Sequence, residues 1–290
     1  MTSDLHTRRG ALTLLTSVGL GLAAAPVLAQ PQRLSGLAAL ERARGGRLGV
    51  FALDMGSGRT LGHRADERFL MCSTFKALEA AAILARVDAG RERLDRRVRL
   101  TPADMIPNSG VSQRLLPRGY GTVAELCAAM VSQSDNTAAN LLLPSLGGPE
   151  GLTAWLRRIG DGVTRIDRNE PDLNRHMGEL DTTTPRAMAG TLRTLLYGRA
   201  LTPASRARLN RWLLETTTGP RRLRAGLPSG WRLAHKTGTS DAYTNDIGVT
   251  YPAGRAPIFI SVYYEAPRLS SRAREGVAAD AARLIAAWAE

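Results

Sequence analysis

Only two of the 39 basic residues in this 290-residue chain are lysines, and each lies in a short motif whose residue types can do chemistry. Lys76 ends an S-x-x-K pattern that begins at Ser73, and Lys236 begins the tripeptide Lys-Thr-Gly. Arginine stays protonated in proteins, whereas lysine can give up a proton when its surroundings lower its pKa. Proton transfer at Lys76 is therefore the first hypothesis. Because S-x-x-K alone is common by chance, a function can be inferred only from several motifs taken together.

The spacing of Ser73 and Lys76 predicts that they are neighbours on one helix face. The apolar pattern from Ser73 to about Val87 is typical of a largely buried helix, on which positions i and i+3 project side by side. A helix that began at Ser73 would direct its N–H groups and dipole toward the serine oxygen and favour negative charge there. Ser73 is thus a candidate nucleophile, with Lys76 as proton acceptor or relay.

Two further motifs supply groups that such a reaction needs. Ser134 and Asn136, in a Ser-Asp-Asn tripeptide, could pass a proton to a leaving nitrogen and hold a neighbouring carbonyl. The alternative is that this tripeptide only caps the next helix. Lys236 and Thr237 could hold a carboxylate from a predicted strand, in which Gly238 would let a ligand approach the backbone.

The order of predicted elements indicates how these motifs are positioned. Residues 47–54 and 60–63 are typical of a β-hairpin, and the middle of the chain has helical periodicity. Three strand-like segments with a period of two follow residue 231, and an amphipathic helix at 272–288 closes the chain. We expect one mixed layer of strands and helices built from both ends of the chain, with a helical region inserted between them.

The first 29 residues are typical of an export signal. Arg8 and Arg9 supply a charged region, a weakly apolar stretch runs to Pro26, and Ala29 ends a small-residue cleavage site. The alternative is a membrane anchor, but the stretch is rich in Ala, Gly, Ser and Thr. Adjacent arginines are typical of twin-arginine export. We expect a periplasmic or secreted protein that keeps no stable membrane anchor once the signal is removed.

The net charge of +13 raises the possibility of nucleic-acid binding. The arginines are dispersed along the chain, however, and aromatic residues make up only 5% of it, so no interleaved stacking platform is present. The excess charge is better explained as solvated surface, and we expect no nucleic-acid partner.

The motifs at Ser73, Ser134 and Lys236, in this order, resemble the signature of class A β-lactamases and penicillin-binding proteins. Between the last two, residues 170–174 are similar to the E-P-x-L-N of the class A Ω-loop, which penicillin-binding proteins typically lack. The resemblance implies an α/β fold of the α+β type, with a five-stranded antiparallel sheet flanked by helices. It also implies the domain bounds: an α/β domain from residues 30–65 with 216–290, and an all-α domain at 66–215 with the Ω-loop near 165–181.

The resemblance also implies a reaction. Ser73 would attack the β-lactam carbonyl, with an oxyanion hole formed by its own backbone N–H and that of Thr239. Glu170 and Asn174 would hold and activate the water that cleaves the acyl-enzyme, giving antibiotic resistance. The base for acylation, Lys76 or Glu170, is left open.

The remaining site residues would bind the substrate. By the resemblance, Ser134 returns a proton to the ring nitrogen and Asn136 binds the substrate amide. No cofactor or metal is implied, and the enzyme is expected to be a monomer that takes β-lactam antibiotics as its only small-molecule partners. The residues expected to receive the substrate carboxylate are Lys236, Thr237, Thr239 and Arg222.

Several positions depart from the family pattern. The loop between Asn174 and Asp181 is about two residues shorter than is common, although Arg168 and Asp181 match the ion pair that closes it. Asn108 stands where an aromatic residue is usual at the pocket mouth, and His235 replaces a common Asp. The substrate spectrum and clavulanate sensitivity therefore stay open.

By the resemblance, each of the two cysteines matches one half of a family disulfide: the partner position of Cys127 is occupied by Ala80, and that of Cys72 by Ser240. Cys127 would lie beside position 80, which is about 12 Å from Cys72 along one helix at about 1.5 Å per residue. Cys72 therefore cannot reach Cys127, and both should be free thiols.

Three alternatives to a β-lactamase stay open from the sequence. A DD-peptidase or slow penicilloyl-binding relative would follow if Glu170 failed to position water. A non-enzymatic antibiotic sensor would acylate without turnover. A basic nucleic-acid-binding protein is the third alternative, although export and three catalytic motifs count against it.

Overall fold

The computed structural model describes residues 29–290, and the side chains of residues 36–290. The predicted export signal lies outside the described residues, apart from Ala29, which begins the first helix. Within residues 29–290, no helix has both the length and the apolar character needed to cross a membrane.

Nine strands form in the described residues, and five of them make the main sheet. The strands are β1 (Arg47–Asp54), β2 (Thr60–His63), β3 (Phe69–Leu70), β4 (Arg97–Arg99), β5 (Tyr120–Thr122), β6 (Thr182–Thr183), β7 (Arg232–Thr239), β8 (Tyr243–Tyr251) and β9 (Ile258–Glu265). The main sheet is antiparallel throughout, in the spatial order β2-β1-β9-β8-β7. The expected five-stranded antiparallel sheet from both ends of the chain is confirmed.

Two apolar clusters pack against opposite faces of the main sheet. Every residue of β9 except Glu265 is buried, and its side chains alternate between the two clusters. Phe259 and Tyr263 belong to one cluster, whereas Ile260 and Val262 belong to the other. These β-branched and aromatic residues suit a strand that is covered on both sides.

Ten α-helices complete the described chain, and several begin where Thr and Pro predict. Thr184 caps a helix whose first residue is Pro185, and Thr202 does the same before Pro203, because the threonine oxygen accepts a backbone N–H of the first turn. The helices are α1 (Ala29–Arg44), α2 (Phe75–Asp88), α3 (Gly110–Leu115), α4 (Val123–Ser132), α5 (Asn136–Leu142), α6 (Gly148–Arg158), α7 (Pro185–Tyr197), α8 (Pro203–Leu214), α9 (Leu223–Gly226) and α10 (Ser271–Ala289).

A short strand pair joins the segment before Ser73 to the loop that contains Glu170. Strands β3 and β6 are antiparallel, and Met71 N donates to Asp181 O at 3.0 Å just beyond them. The nucleophile segment and the Ω-loop are therefore held together by backbone hydrogen bonds. The division of the chain into two domains at residues 65/66 and 215/216 stays a prediction.

Both cysteines are free and buried, which confirms the expected pair of thiols. Burial raises the pKa of Cys72 to about 12 and also raises that of Cys127. A thiol is a weak nucleophile unless it is ionised, so neither cysteine competes with Ser73 for an electrophile.

Candidate active site

Ser73 lies in a single 3₁₀ turn, Cys72–Thr74, and α2 begins only at Phe75. The expectation that the α-helix begins at Ser73 is therefore wrong by two residues. The turn forms because Cys72 adopts a left-handed backbone with φ of 46°. Such a backbone is uncommon for a residue other than glycine, and it redirects the chain just before the nucleophile.

Lys76 and Glu170 meet at the Ser73 hydroxyl, in a fully buried cluster. Lys76 Nζ lies 3.1 Å from Ser73 Oγ and 2.9 Å from Glu170 Oε1, and Ser73 Oγ donates to Glu170 Oε1 at 3.0 Å. The side chains of Lys76 and Glu170 have no exposed surface. Lys76 Nζ also donates to the carbonyl of Ser134 and to Asn136 Oδ1. The arrangement gives the serine hydroxyl an anionic acceptor and a cationic donor.

Lys236 lies beside Ser134 on the other side of the nucleophile. Its Nζ donates to Ser134 Oγ at 3.0 Å and to Thr237 O at 2.8 Å. Burial lowers the pKa of Lys236 well below its usual value of 10.5, and the positive charges of Lys76 and Arg222 lower it further. Because Lys236 donates to Ser134 Oγ, the hydroxyl proton of Ser134 is left available for transfer.

The position of Glu170 is fixed from two sides. Asn140 clamps its backbone, accepting from Glu170 N at 3.0 Å and donating to Glu170 O at 2.8 Å. Asn174 Nδ2 donates to Glu170 Oε2 at 2.5 Å, while Asn174 Oδ1 accepts no hydrogen bond from the described residues. The Arg168–Asp181 ion pair expected to close this loop is present at 2.6 Å.

Arg222 and a row of hydroxyl groups form the end of the cleft where a carboxylate is expected. Arg222 donates to Thr239 Oγ1 at 2.7 Å and to the carbonyl of Gly238 at 3.0 Å. Thr237 Oγ1 lies 2.6 Å from Thr218 Oγ1, a residue that the sequence analysis did not single out. Hydroxyl groups beside a buried guanidinium can bind an anionic oxygen, because both kinds of group donate hydrogen bonds to it.

These groups open into one cleft of about 310 Å³. Lys76, Glu170 and Lys236 lie beneath its floor, fully or almost fully buried. The structure thus brings every predicted site residue to the same place. The lining residues are Ser73, Asn108, Ser134, Asn136, Asn174, Thr218, Arg222, Thr237 and Thr239.

Comparison with known proteins decides the family. A family model described as the beta-lactamase enzyme family matches residues 33–289. The structure of an ancestral class A β-lactamase of Gram-negative bacteria is 55% identical, with a TM-score of 0.86, over 89% of this chain and 100% of that one. The chain belongs to the class A β-lactamases.

Two further relatives of this β-lactamase cover most of both chains. The crystal structure of a β-lactamase from Burkholderia vietnamiensis is 52% identical, with a TM-score of 0.88, over 93% of this chain and 98% of that one. A carbapenem-hydrolyzing β-lactamase KPC from Klebsiella oxytoca is 47% identical over 85% of each chain.

Gly238 of the β-lactamase allows two segments that are distant in the chain to pack closely. A Cβ at this position would lie 2.5 Å from Met71 O and 3.2 Å from Cys72 Cβ. The distance to Met71 O is too short for any real Cβ. The missing side chain therefore lets β7 pack against the segment before Ser73, and the expected close approach of a ligand stays a prediction. Asn245 secures the same contact by donating to Leu70 O and Met71 O.

The Ser-Asp-Asn tripeptide of this β-lactamase provides the helix cap that the sequence left open, while its catalytic purpose stays a prediction. Asp135 caps α5 by accepting from Ala138 N, and it also accepts from Ser112 Oγ at 2.7 Å. Because Asp135 takes the cap, the side chains of Ser134 and Asn136 are free to line the cleft.

Besides Thr218, two residues that were not predicted from the sequence support the site. Asn140 follows Asn136 by four positions, a spacing that places both on one helix face and could have identified it. Glu275, which contacts Arg222 Nε at 3.4 Å, lies too far along the chain for any local signal.

Proposed function

We propose that this enzyme hydrolyses the β-lactam ring of antibiotics through an acyl-enzyme at Ser73, and that this activity gives antibiotic resistance. The observation that carries the proposal is the position of Ser73 Oγ, within 3.1 Å of Lys76 Nζ and within 3.0 Å of Glu170 Oε1. A hydroxyl held between a base and a cation is an activated nucleophile.

In acylation, Ser73 Oγ attacks the lactam carbonyl and its proton passes to Glu170 or to Lys76. Glu170 is the direct hydrogen-bond acceptor of that proton, whereas the ammonium of Lys76 donates to three acceptors. The backbone N–H groups of Ser73 and Thr239 stabilise the oxyanion. As the carbon–nitrogen bond breaks, Ser134 gives its proton to the ring nitrogen. The proton taken from Ser73 replaces it, so that Glu170 and Lys76 regain their starting charges before deacylation.

In deacylation, Glu170 takes a proton from a water that attacks the ester carbonyl and releases Ser73. The contact of Asn174 Nδ2 with Glu170 Oε2 orients the carboxylate, and Asn174 Oδ1 is available to accept a hydrogen bond from that water. An ester at Ser73 persists unless a base activates water, so turnover depends on this pair.

Substrate binding uses the remaining cleft residues. The carboxylate attached to the fused ring lies against Thr237 and Thr239, with Arg222 and Lys236 providing positive charge. Asn136, whose Nδ2 donates to Pro107 O at 2.9 Å, is positioned to contact the side-chain amide of the antibiotic.

Replacement of Ser73 tests the proposal. We expect the unaltered enzyme to turn over benzylpenicillin many times, and Ser73→Ala to lose at least about 10⁴-fold in kcat because the nucleophile is gone. Ser271→Ala, which removes an exposed hydroxyl at the start of α10, is the matched control and should retain full activity. Stoichiometric acylation without turnover in the unaltered enzyme would instead identify a sensor or a penicilloyl-binding relative.

We also propose that the protein is exported through residues 1–29 and acts as a monomer in the periplasm or outside the cell. The charged, apolar and small-residue regions of this segment support export. Fractionation of expressing cells should place the activity outside the cytoplasm, and replacing Arg8 and Arg9 with lysine should retain it inside. Light scattering of the purified protein should give the mass of one chain; a dimer mass would contradict the monomer.

A further inference from the structure

A buried histidine–aspartate pair lies next to the carboxylate end of the cleft without lining it. His235 Nδ1 is 2.8 Å from Asp246 Oδ1, and the exposed fractions of their side chains are 6% and 0%. The two residues are on adjacent strands, where Thr237 pairs directly with Asp246 and His235 lies two positions earlier. His235 and Asp246 therefore project from the same face of the sheet.

The second oxygen of Asp246 reaches the backbone beside Arg222. Leu223 N donates to Asp246 Oδ2 at 3.2 Å, and Leu223 is the first residue of α9. A carboxylate only accepts hydrogen bonds, so Nδ1 of His235 carries the hydrogen between the two residues. Asp246 thus joins the ring of His235 to the main chain that carries Arg222.

Arg222 is held tightly at the same place. Besides donating to Thr239 Oγ1, its guanidinium donates to the carbonyls of Gly238 and Asn245. Gly238 and Asn245 pair across β7 and β8, next to the pair formed by Thr237 and Asp246. Arg222 is 5% exposed, so a small shift of its backbone would change where its charge meets the cleft. Buried ion pairs and hydrogen bonds of this kind act by fixing geometry.

We propose that His235 is a positioning residue: through Asp246 and Leu223 N it holds Arg222 where the carboxylate of a β-lactam binds. This inference rests on the proposed function, because it assigns a substrate group to the same cleft. Loss of the His235 hydrogen bond would free the Asp246 side chain to rotate, loosen the start of α9 and weaken carboxylate binding. The bond-breaking steps at Ser73 would be little affected.

A matched pair of amides tests this proposal. In His235→Asn the amide nitrogen takes the place of Nδ1 and keeps the donor to Asp246, whereas in His235→Gln it takes the place of Nε2. We expect His235→Gln to raise KM for benzylpenicillin about tenfold, the effect of one lost charge-assisted hydrogen bond, with kcat within about threefold of the unaltered enzyme. His235→Asn should restore KM to within about threefold.

Blocking the substrate carboxylate makes the test specific. For benzylpenicillin methyl ester, kcat/KM should be the same in His235→Gln and the unaltered enzyme, because the group that Arg222 binds is removed. His63→Asn breaks another histidine–carboxylate pair, in which His63 Nε2 on β2 lies 3.0 Å from Glu41 of α1, because the amide nitrogen of Asn takes the place of Nδ1; it should change neither constant. If His235→Gln does not fold, His235→Ala removes the same donor without added bulk and takes its place.

Three results would overturn the inference while leaving the proposed function intact: equal KM values for the two amide variants, a fall in kcat at unchanged KM, or equal losses on the acid and its ester. Absence of benzylpenicillin turnover in the unaltered enzyme would overturn the proposed function itself and this inference with it.

Discussion

Glu170→Ala is expected to accumulate a stable penicilloyl ester at Ser73, with deacylation slowed about 10³-fold. The residue is buried and within hydrogen-bond distance of Asn174 and Ser73, so no other carboxylate can take over its contact with water. Acylation should continue more slowly, because Lys76 would lose its anionic partner at 2.9 Å. A buried lysine without a counter-charge releases its proton readily and can then accept the proton of Ser73.

Intact-protein mass spectrometry after mixing with benzylpenicillin measures this directly. Glu170→Ala should gain the mass of one penicillin and keep it for minutes, whereas the unaltered enzyme should show no adduct once the drug is consumed. Glu150→Ala removes an exposed glutamate of α6 and is the control that should behave as the unaltered enzyme does. Absence of any adduct on Glu170→Ala would mean that Glu170 is indispensable for acylation and that Lys76 cannot replace it.

The site residues were accessible from the sequence because their chemistry is confined to short motifs. Ser73 and Lys76 are three positions apart in the chain, and Lys236 and Thr237 are consecutive, so local spacing was enough to propose them. The sheet was also predictable, because its strands alternate or consist of β-branched runs. The helix starts at Pro185 and Pro203 followed from the preceding threonines.

Apart from Asn140, the missed features depend on contacts between distant segments. Gly238 packs against Met71, just before the 3₁₀ turn at Ser73, although the two residues are more than a hundred positions apart in the chain. The hydrogen bond of Asp246 to Leu223 N likewise joins a strand to a helix start. Periodicity reports which face of an element is apolar, but not which residue of another element lies opposite.

Glu79 is a further case in which the sequence conceals the environment, because a glutamate in a helix is ordinarily taken as solvent-exposed. In α2 it is completely buried, and neither carboxylate oxygen has a hydrogen-bond partner among the described residues. Burial raises the pKa of Glu79 well above its usual value of 4.5; the charge of Glu170 adds to the shift and that of Lys76 opposes it. Folding therefore favours the protonated form of this carboxyl.

Glu79→Leu is expected to stabilise the enzyme, by an amount that grows with pH. Above pH 4.5, Glu79 ionises in the unfolded chain but stays protonated in the fold, so the unfolded state binds fewer protons and the free energy of unfolding falls. The fall is about 1.4 kcal/mol per pH unit while the folded carboxyl stays neutral. Removal of an unpaired buried polar group adds about 1–3 kcal/mol at any pH.

Glu79→Gln separates the two contributions, because glutamine keeps a buried polar group but cannot ionise. Urea unfolding of the three proteins should show the gap between Glu79→Gln and the unaltered enzyme widening as the pH rises above about 4.5, because only the unaltered enzyme carries a carboxyl whose pKa is raised in the fold. The gap between Glu79→Leu and Glu79→Gln should stay constant over the same range. A difference between Glu79→Gln and the unaltered enzyme that does not vary with pH would mean that Glu79 ionises in the fold as readily as in the unfolded chain, with Lys76 as the neighbouring positive charge that permits it.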